Sequence, residues 1–228
     1  MFVDSSGAKI RWDRTVRTRR TWSATPSASA VVAPAIVRRG SRAGWFRSPM
    51  VRFKTLLGAD AAMLRSFDGT EPQVADSAYV DEAAVVIGDV VVEAEASVWP
   101  NTTLRGDHGR IVVGEGANVQ DNAVLHEDAA LEPHSTVGHS AIVHDATVGE
   151  RALVGMNATV LDGAHVGAGA VVAAGSVVTE GTEVPPQTLV AGAPAEPKTE
   201  IDDPHLEATA DRYVELSRKY AETSERLD

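Results

Sequence analysis

Residues 148–178 read VGERALVGMNATVLDGAHVGAGAVVAAGSVV, with Val at 148, 154, 160, 166, 172 and 178. A strict interval of six is neither the 3.6 of an amphipathic helix nor the alternation of a lone strand. Four positions after these valines come the small residues Ala152, Ala158, Ala164, Ala170 and Ser176, and Gly149, Gly155 and Gly167 follow a Val directly. A unit this short cannot bury its apolar face alone, so a fixed period of this kind implies stacked turns of a solenoid. The aliphatic residue points inward, the small residue fills a tight corner, and Gly is expected to take turn conformations that other residues avoid. Each short strand then pairs with the strand one turn above and below, about 4.8 Å away.

The same beat runs back through Val143, Val137, Leu131, Leu125, Val119 and Val113, with one residue missing between Val143 and Val148. Below Val113 comes an insertion of three residues, then Leu104, Val98, Val92, Val86, Val80 and Val74. The pattern resembles the hexapeptide-repeat β-helices, in which three hexads close one triangular turn; by that likeness eighteen hexads predict about six turns, ending near Pro185. The expected fold is mainly β, a parallel β-helix over residues 63–199 followed by a C-terminal α-helix. Asp203-Pro204 offers an N-cap and a first-turn proline, and Leu206, Ala210, Tyr213, Ser217 and Tyr220 follow at helical spacing. Residues 200–228 are therefore read as a helix that packs on the coil or on a neighbouring subunit.

Charge divides the 228-residue chain near Met63, which the net value of −11 conceals. Residues 1–62 hold twelve Lys and Arg against three Asp, +9; the rest holds nine basic against 29 acidic residues, −20. Residues 1–62 are read as a disordered basic extension, with Met63 as an alternative start directly before the ordered pattern. Their Arg-rich, acid-poor composition also fits a transit peptide. The acidic body repels nucleic acid and anionic lipid, so neither is an expected partner, and it suits solubility at high salt. The absence of cysteine excludes a disulfide scaffold, a thiolate metal site and a cysteine nucleophile. No apolar run approaches the roughly 20 residues that span a bilayer. A soluble, cytoplasmic protein is expected.

Histidines fall into register with the coil. His126 follows Leu125 and His144 follows Val143, exactly one 18-residue turn apart, so their rings should lie stacked and parallel on one face. Two imidazoles so placed reach one ion at a Zn–N distance of about 2.0–2.1 Å. His139 belongs to a different face and cannot easily join that pair within one coil; a neighbouring coil could present it if threefold packing brings that face against the first. His134, between these residues, is the competing candidate ligand. Arg105, allowing for the insertion, sits one turn below His126, with Asp107 two residues on; they can form a charge-assisted pair or a purely structural bridge. Gln120 is placed one turn below His139, which also suits an ordinary surface amide.

Leu104-Arg105-Gly106-Asp107, the run Asn118 to His126, and Gly138-His139-Ser140-Ala141-Ile142-Val143-His144 together resemble the γ-class carbonic anhydrases. Val154-Gly155-Met156 and Ala191-Gly192-Ala193-Pro194-Ala195 add to the likeness, which covers Met63 to the end. The resemblance implies a left-handed β-helix, a homotrimer with three interfacial metal sites, and reversible hydration of carbon dioxide to bicarbonate. It implies that His126 and His144 bind Zn2+ from one subunit and His139 from the next, with Fe2+ or Co2+ as alternative ions. Arg105 and Asp107 would bridge subunits, and Gln120 would orient water or bicarbonate. The chain departs from the best-known active form, whose first histidine is followed by a long acidic loop and whose Arg-Gly-Asp is followed by Glu, here His108. Glu127, Asp128 and His134 are candidate proton relays. Two other readings stand beside the enzyme: a weak or inactive metal-binding scaffold, and a hexapeptide-repeat acyltransferase.

Overall fold

Val86, Val98, Leu104, Val119, Leu125, Val143 and Val160 are wholly buried, and they mark where the chain turns its inner edge to a single axis. They belong to a computed structural model in which residues 62–201, 204–225 and 227 are described. The basic extension read over residues 1–62 lies, but for Ala62, outside that description, as does Asp203.

The hexads close into a three-faced parallel β-helix. The first face carries Met63–Arg65, the opening halves of Val85–Val92 and Thr103–Val113, then Val124–His126, Ile142–His144, Thr159–Val160 and Val177–Val178. The second carries Gln73–Val74, the closing halves of the same two long strands, then Ala130–Leu131, Thr147–Val148, His165–Val166 and Glu183–Val184. The third runs from Tyr79–Val80 through Ser97–Val98, Asn118–Val119, Thr136–Val137, Leu153–Val154 and Val171–Val172 to Thr188–Gly192. Pairing along each face is parallel and in register, so Leu104, Leu125, Val143 and Val160 form one inward ladder.

Each face has seven rungs, one more turn than the eighteen hexads predict. Leu64 pairs with Val86 below the first hexad, and Val184 and Val190 carry the beat past Pro185. The prolines do not stop the coil, because Pro185 and Pro186 follow the last rung of the second face, where no further strand awaits an N–H donor. The coil ends instead in a hairpin: Ala195–Glu200 pairs antiparallel with Thr188–Gly192, an element absent from the hexad pattern.

Small residues fill the corners as expected; Ala84, Ala96, Ala117, Ala123, Ala141 and Ala158 are fully buried. Glycines directly after the valines serve a different purpose from the one expected. Gly155 has an ordinary backbone conformation, but a Cβ there would stand 2.6 Å from the Ala174 nitrogen of the next turn. The left-handed corner falls two residues later, at positions such as Asn122, His134 and Asn157.

The helix α1, Pro204–Thr223, lies against the third face, touching the strands at Tyr79–Val80, Ser97–Val98 and Asn118–Val119. Trp99 is the centre of the contact, with Tyr213 and Tyr220 edge-on at 5.4 and 5.1 Å and Tyr79 at 5.3 Å. Such pairs add to the area they bury. Ala210, Val214 and Ser217 complete the buried side of α1. The Arg218 guanidinium reaches Glu95, and Asp211 sits 3.1 Å from His134 and 3.6 Å from Arg151. The histidine pair stands on the first face.

Replacing Gly155 by Ala forces backbone apart between turns and should cost about 1–3 kcal/mol. Leu131→Ala empties a buried inward site and should cost about 2–5 kcal/mol. Both read out as lower urea midpoints, and a wild-type midpoint for Gly155→Ala would refute the close-approach argument.

Candidate metal centre

The ladder that aligns the core also aligns what points outward beside it. Ile87, Arg105, His126 and His144 pair in sequence up the first face. The two imidazoles are therefore neighbours by backbone register, as the 18-residue interval requires. Their rings are not parallel: centroids lie 4.9 Å apart with planes at 66°. Each ring is turned by a separate carboxylate, one below and one above.

His126 Nε2 lies 3.0 Å from Asp107 Oδ1, and His144 Nδ1 lies 2.6 Å from Asp162 Oδ1. An ionised carboxylate only accepts, so the proton of each neutral ring is assigned to the nitrogen facing its aspartate. That leaves the lone pairs of His126 Nδ1 and His144 Nε2 facing one another, 3.0 Å apart. Tetrahedral ligation at Zn–N bonds of 2.0–2.1 Å separates two nitrogens by about 3.3 Å. A few tenths of an ångström of ring rotation would admit the ion, and the donor chemistry fits a divalent metal. The outer carboxylates match the usual support of metal-binding imidazoles. The Glu127 carboxylate, 3.9 Å from His144 Nε2, completes a cluster of three donors within one chain.

The three-residue insertion delivers Asp107. Between Gly106, opposite Gly88, and Ile111, opposite Val90, the residues Asp107 to Arg110 loop away from the ladder. Arg110 pins this loop twice: its amide donates to Asp128 at 2.9 Å, and its Nε donates to Asp89 at 3.0 Å. Gly109 packs so closely on Asp128 that a Cβ would lie 2.6 Å from the carboxylate oxygen. Arg105 Nη1 donates to Asp107 Oδ2 at 2.6 Å, and Arg105 Nη2 approaches His126 Nδ1 at 3.3 Å. Burial works against the Asp107 charge. Hydrogen bonds from Arg105, His126 and His108, with the Arg105 charge, outweigh it and hold the carboxyl well below its ordinary value of 3.8. Beneath the loop an open groove is lined by Phe67, Thr70, Asp89, Asp107 and Arg110.

His139 stands apart from this cluster, at the corner where the third face turns into the first. Its side chain is 45% exposed and its Nδ1 lies 2.9 Å from Asp121. His126 and His144 occupy the opposite edge of the first face. Gln120 needs correction by one position. The register sets Asp121, not Gln120, beneath His139; the Gln120 backbone amide instead donates to the Val137 carbonyl on the third face. Its side-chain amide is buried and donates to Asn118 Oδ1 at 3.1 Å. His134 lies on the side of the coil that meets α1, its Nδ1 3.1 Å from Asp211 Oδ1. Asp162 went unread in the sequence because the turn above His144 is one residue short: Val143 pairs with Val160, so Asp162 falls one residue past the register of His144.

Residues 145–180 match the model of the bacterial transferase hexapeptide (six repeats). Over 165 residues the chain is 40% identical to a carbonic anhydrase of Geobacillus kaustophilus, spanning 69% of this chain and 91% of the relative. It is 41% identical over 145 residues to the carnitine operon protein CaiE of Citrobacter koseri, covering 62% and 74% of the two chains. The crystal structure of a hexapeptide transferase family protein from Anaplasma phagocytophilum matches with a TM-score of 0.68 at 40% identity, over 69% of this chain and 98% of that one.

A depressed carboxyl stabilises the native state at pH above its unfolded value, and that contribution fades as pH falls through the native one. The stability gap between metal-free wild type and Asp107→Asn should therefore narrow on acidification from about pH 5 to about pH 2. Urea midpoints measure it; a gap constant with pH would refute the assignment.

Proposed function

Because the chain belongs to the γ-class carbonic-anhydrase-like family of hexapeptide-repeat proteins, we propose that it is a zinc-dependent carbonic anhydrase acting as a homotrimer. The observation that carries this reading is the facing pair, His126 Nδ1 and His144 Nε2 at 3.0 Å, with each far nitrogen held by a carboxylate. Three neutral imidazoles with an open fourth position are the pattern of catalytic rather than structural zinc. His126 and His144 supply two, and His139 of an adjoining copy supplies the third. The location of His139 at the opposite edge of the first face supports this division, since one chain cannot fold its own His139 across. A cytoplasmic, acidic trimer is the corresponding assembly.

When bound, the ion supplies a nucleophile at neutral pH by lowering the pKa of water toward about 7. The chain's own residues arrange the rest. Asp107 holds the His126 ring through Nε2–H, and Arg105 fixes Asp107 through its short ion pair. Gln120 contributes an amide whose plane is set by Asn118, suited to orient carbon dioxide or bicarbonate from the third face of the adjoining copy. Proton exit falls to exposed groups at the rim, among which His108 and Glu127 stand nearest the pair. Fe2+ or Co2+ suit the same ligands.

Light scattering should give three chains per particle, and elemental analysis one zinc per chain. Stopped-flow hydration of carbon dioxide should be abolished in His144→Ala, together with bound zinc, while the far-ultraviolet circular dichroism stays that of the coil. Zinc without hydration at any pH would favour a binding scaffold, and acetyl-CoA turnover without zinc would favour an acyltransferase.

A further inference from the structure

Beyond the three histidines, one acidic residue is placed as if to determine which nitrogen of His144 faces the metal. We propose that Asp162 is the positioning residue of the site: its carboxylate holds the Nδ1–H of His144 and thereby presents Nε2 to the ion. The inference rests on the metal-centre reading above. The turn above His144 is 17 residues long, Val143 pairing with Val160, so Asp162 stands one residue past the position over His144, on the side away from His126. Its Oδ1 lies 2.6 Å from His144 Nδ1.

The contact is directional. A free imidazole can place its proton on either nitrogen, and the wrong tautomer would aim an N–H at His126 Nδ1 instead of a lone pair. A carboxylate cannot donate, so Asp162 removes that choice before any ion arrives. His126 is served in the same way from below by Asp107. The two aspartates thus close a chain running Asp107, His126, His144, Asp162 up the edge of one face. Removing either end frees one ring to turn and to change tautomer.

Position also separates this role from a contribution to folding. The Asp162 side chain is 48% exposed at a corner. Its backbone carbonyl accepts from the Gly181 amide at 2.8 Å, which any residue at that position can do. Asp162→Ala should therefore leave the coil intact and act on the ring alone. Asp162→Asn keeps an oxygen that can accept from Nδ1–H, and should rescue.

Two measurements on wild type, Asp162→Ala and Asp162→Asn decide the matter. Nitrogen-15 NMR of the metal-free protein reads the His144 tautomer, and chelator competition reads zinc affinity. Asp162→Ala should shift His144 away from the pure Nδ1–H form and weaken zinc about 10–100-fold, the usual effect of losing such a partner. Asp162→Asn should recover most of both, with thermal midpoints unchanged throughout. An Asp162→Ala protein with the wild-type tautomer and affinity would overturn the proposal. If wild type binds no zinc, the metal reading fails, while the tautomer shift still decides the role of Asp162.

Discussion

Parallel pairing between successive turns is the constraint on which everything else rests. A backbone ladder repeated every 18 residues fixes not only the inward Val and Leu column but also whichever side chains stand outside it. Side chains one turn apart are neighbours whether or not they attract, so the coil can hold two imidazoles, or an imidazole and a carboxylate, at contact distance. Buried aliphatic ladders stabilise the arrangement by roughly 25 cal/mol per Å² of apolar area removed from water. The outward groups at the site ride on that scaffold.

On that scaffold the electrostatics are arranged in series. Arg105 neutralises Asp107, Asp107 orients His126, and Asp162 orients His144. The result is a pair of lone pairs pointing at one another, which is unfavourable alone and is relieved by a cation between them. Deviations from the regular repeat make this possible. The three-residue insertion loops Asp107 out of the ladder and back toward His126, and Arg110, Asp89 and Asp128 pin the loop. Meanwhile Trp99, Tyr213 and Tyr220 fasten α1 to the third face, away from the histidines.

Much of this was legible in the residues, because a six-residue period converts sequence distance into spatial distance. The pairing of His126 with His144, and of both with Arg105, follows from intervals of 18 and 21. Gln120 precedes His139 by one residue more than a turn, and the residue beneath His139 is Asp121. The extra turn was hidden by Pro185 and Pro186, which look like a stop and sit where no ladder bond is needed. Ring tilt was not legible, since it depends on which carboxylate accepts a hydrogen bond from each ring. Close approach of an adjacent turn, which the second-position glycines permit, leaves no local signal in the sequence. Residues 1–61 lie outside the described structure.

The central claim is that one metal site needs two chains, with His126 and His144 on one and His139 on the other. Coexpression of His139→Ala chains with His144→Ala chains tests it most directly, by zinc content of the purified mixed oligomer. Each variant alone should bind no zinc, and the mixture should regain a fraction of it, because some interfaces then join an intact pair to an intact third ligand. Full zinc in the His139→Ala protein alone, or none in a mixed oligomer of wild-type size, would contradict the account.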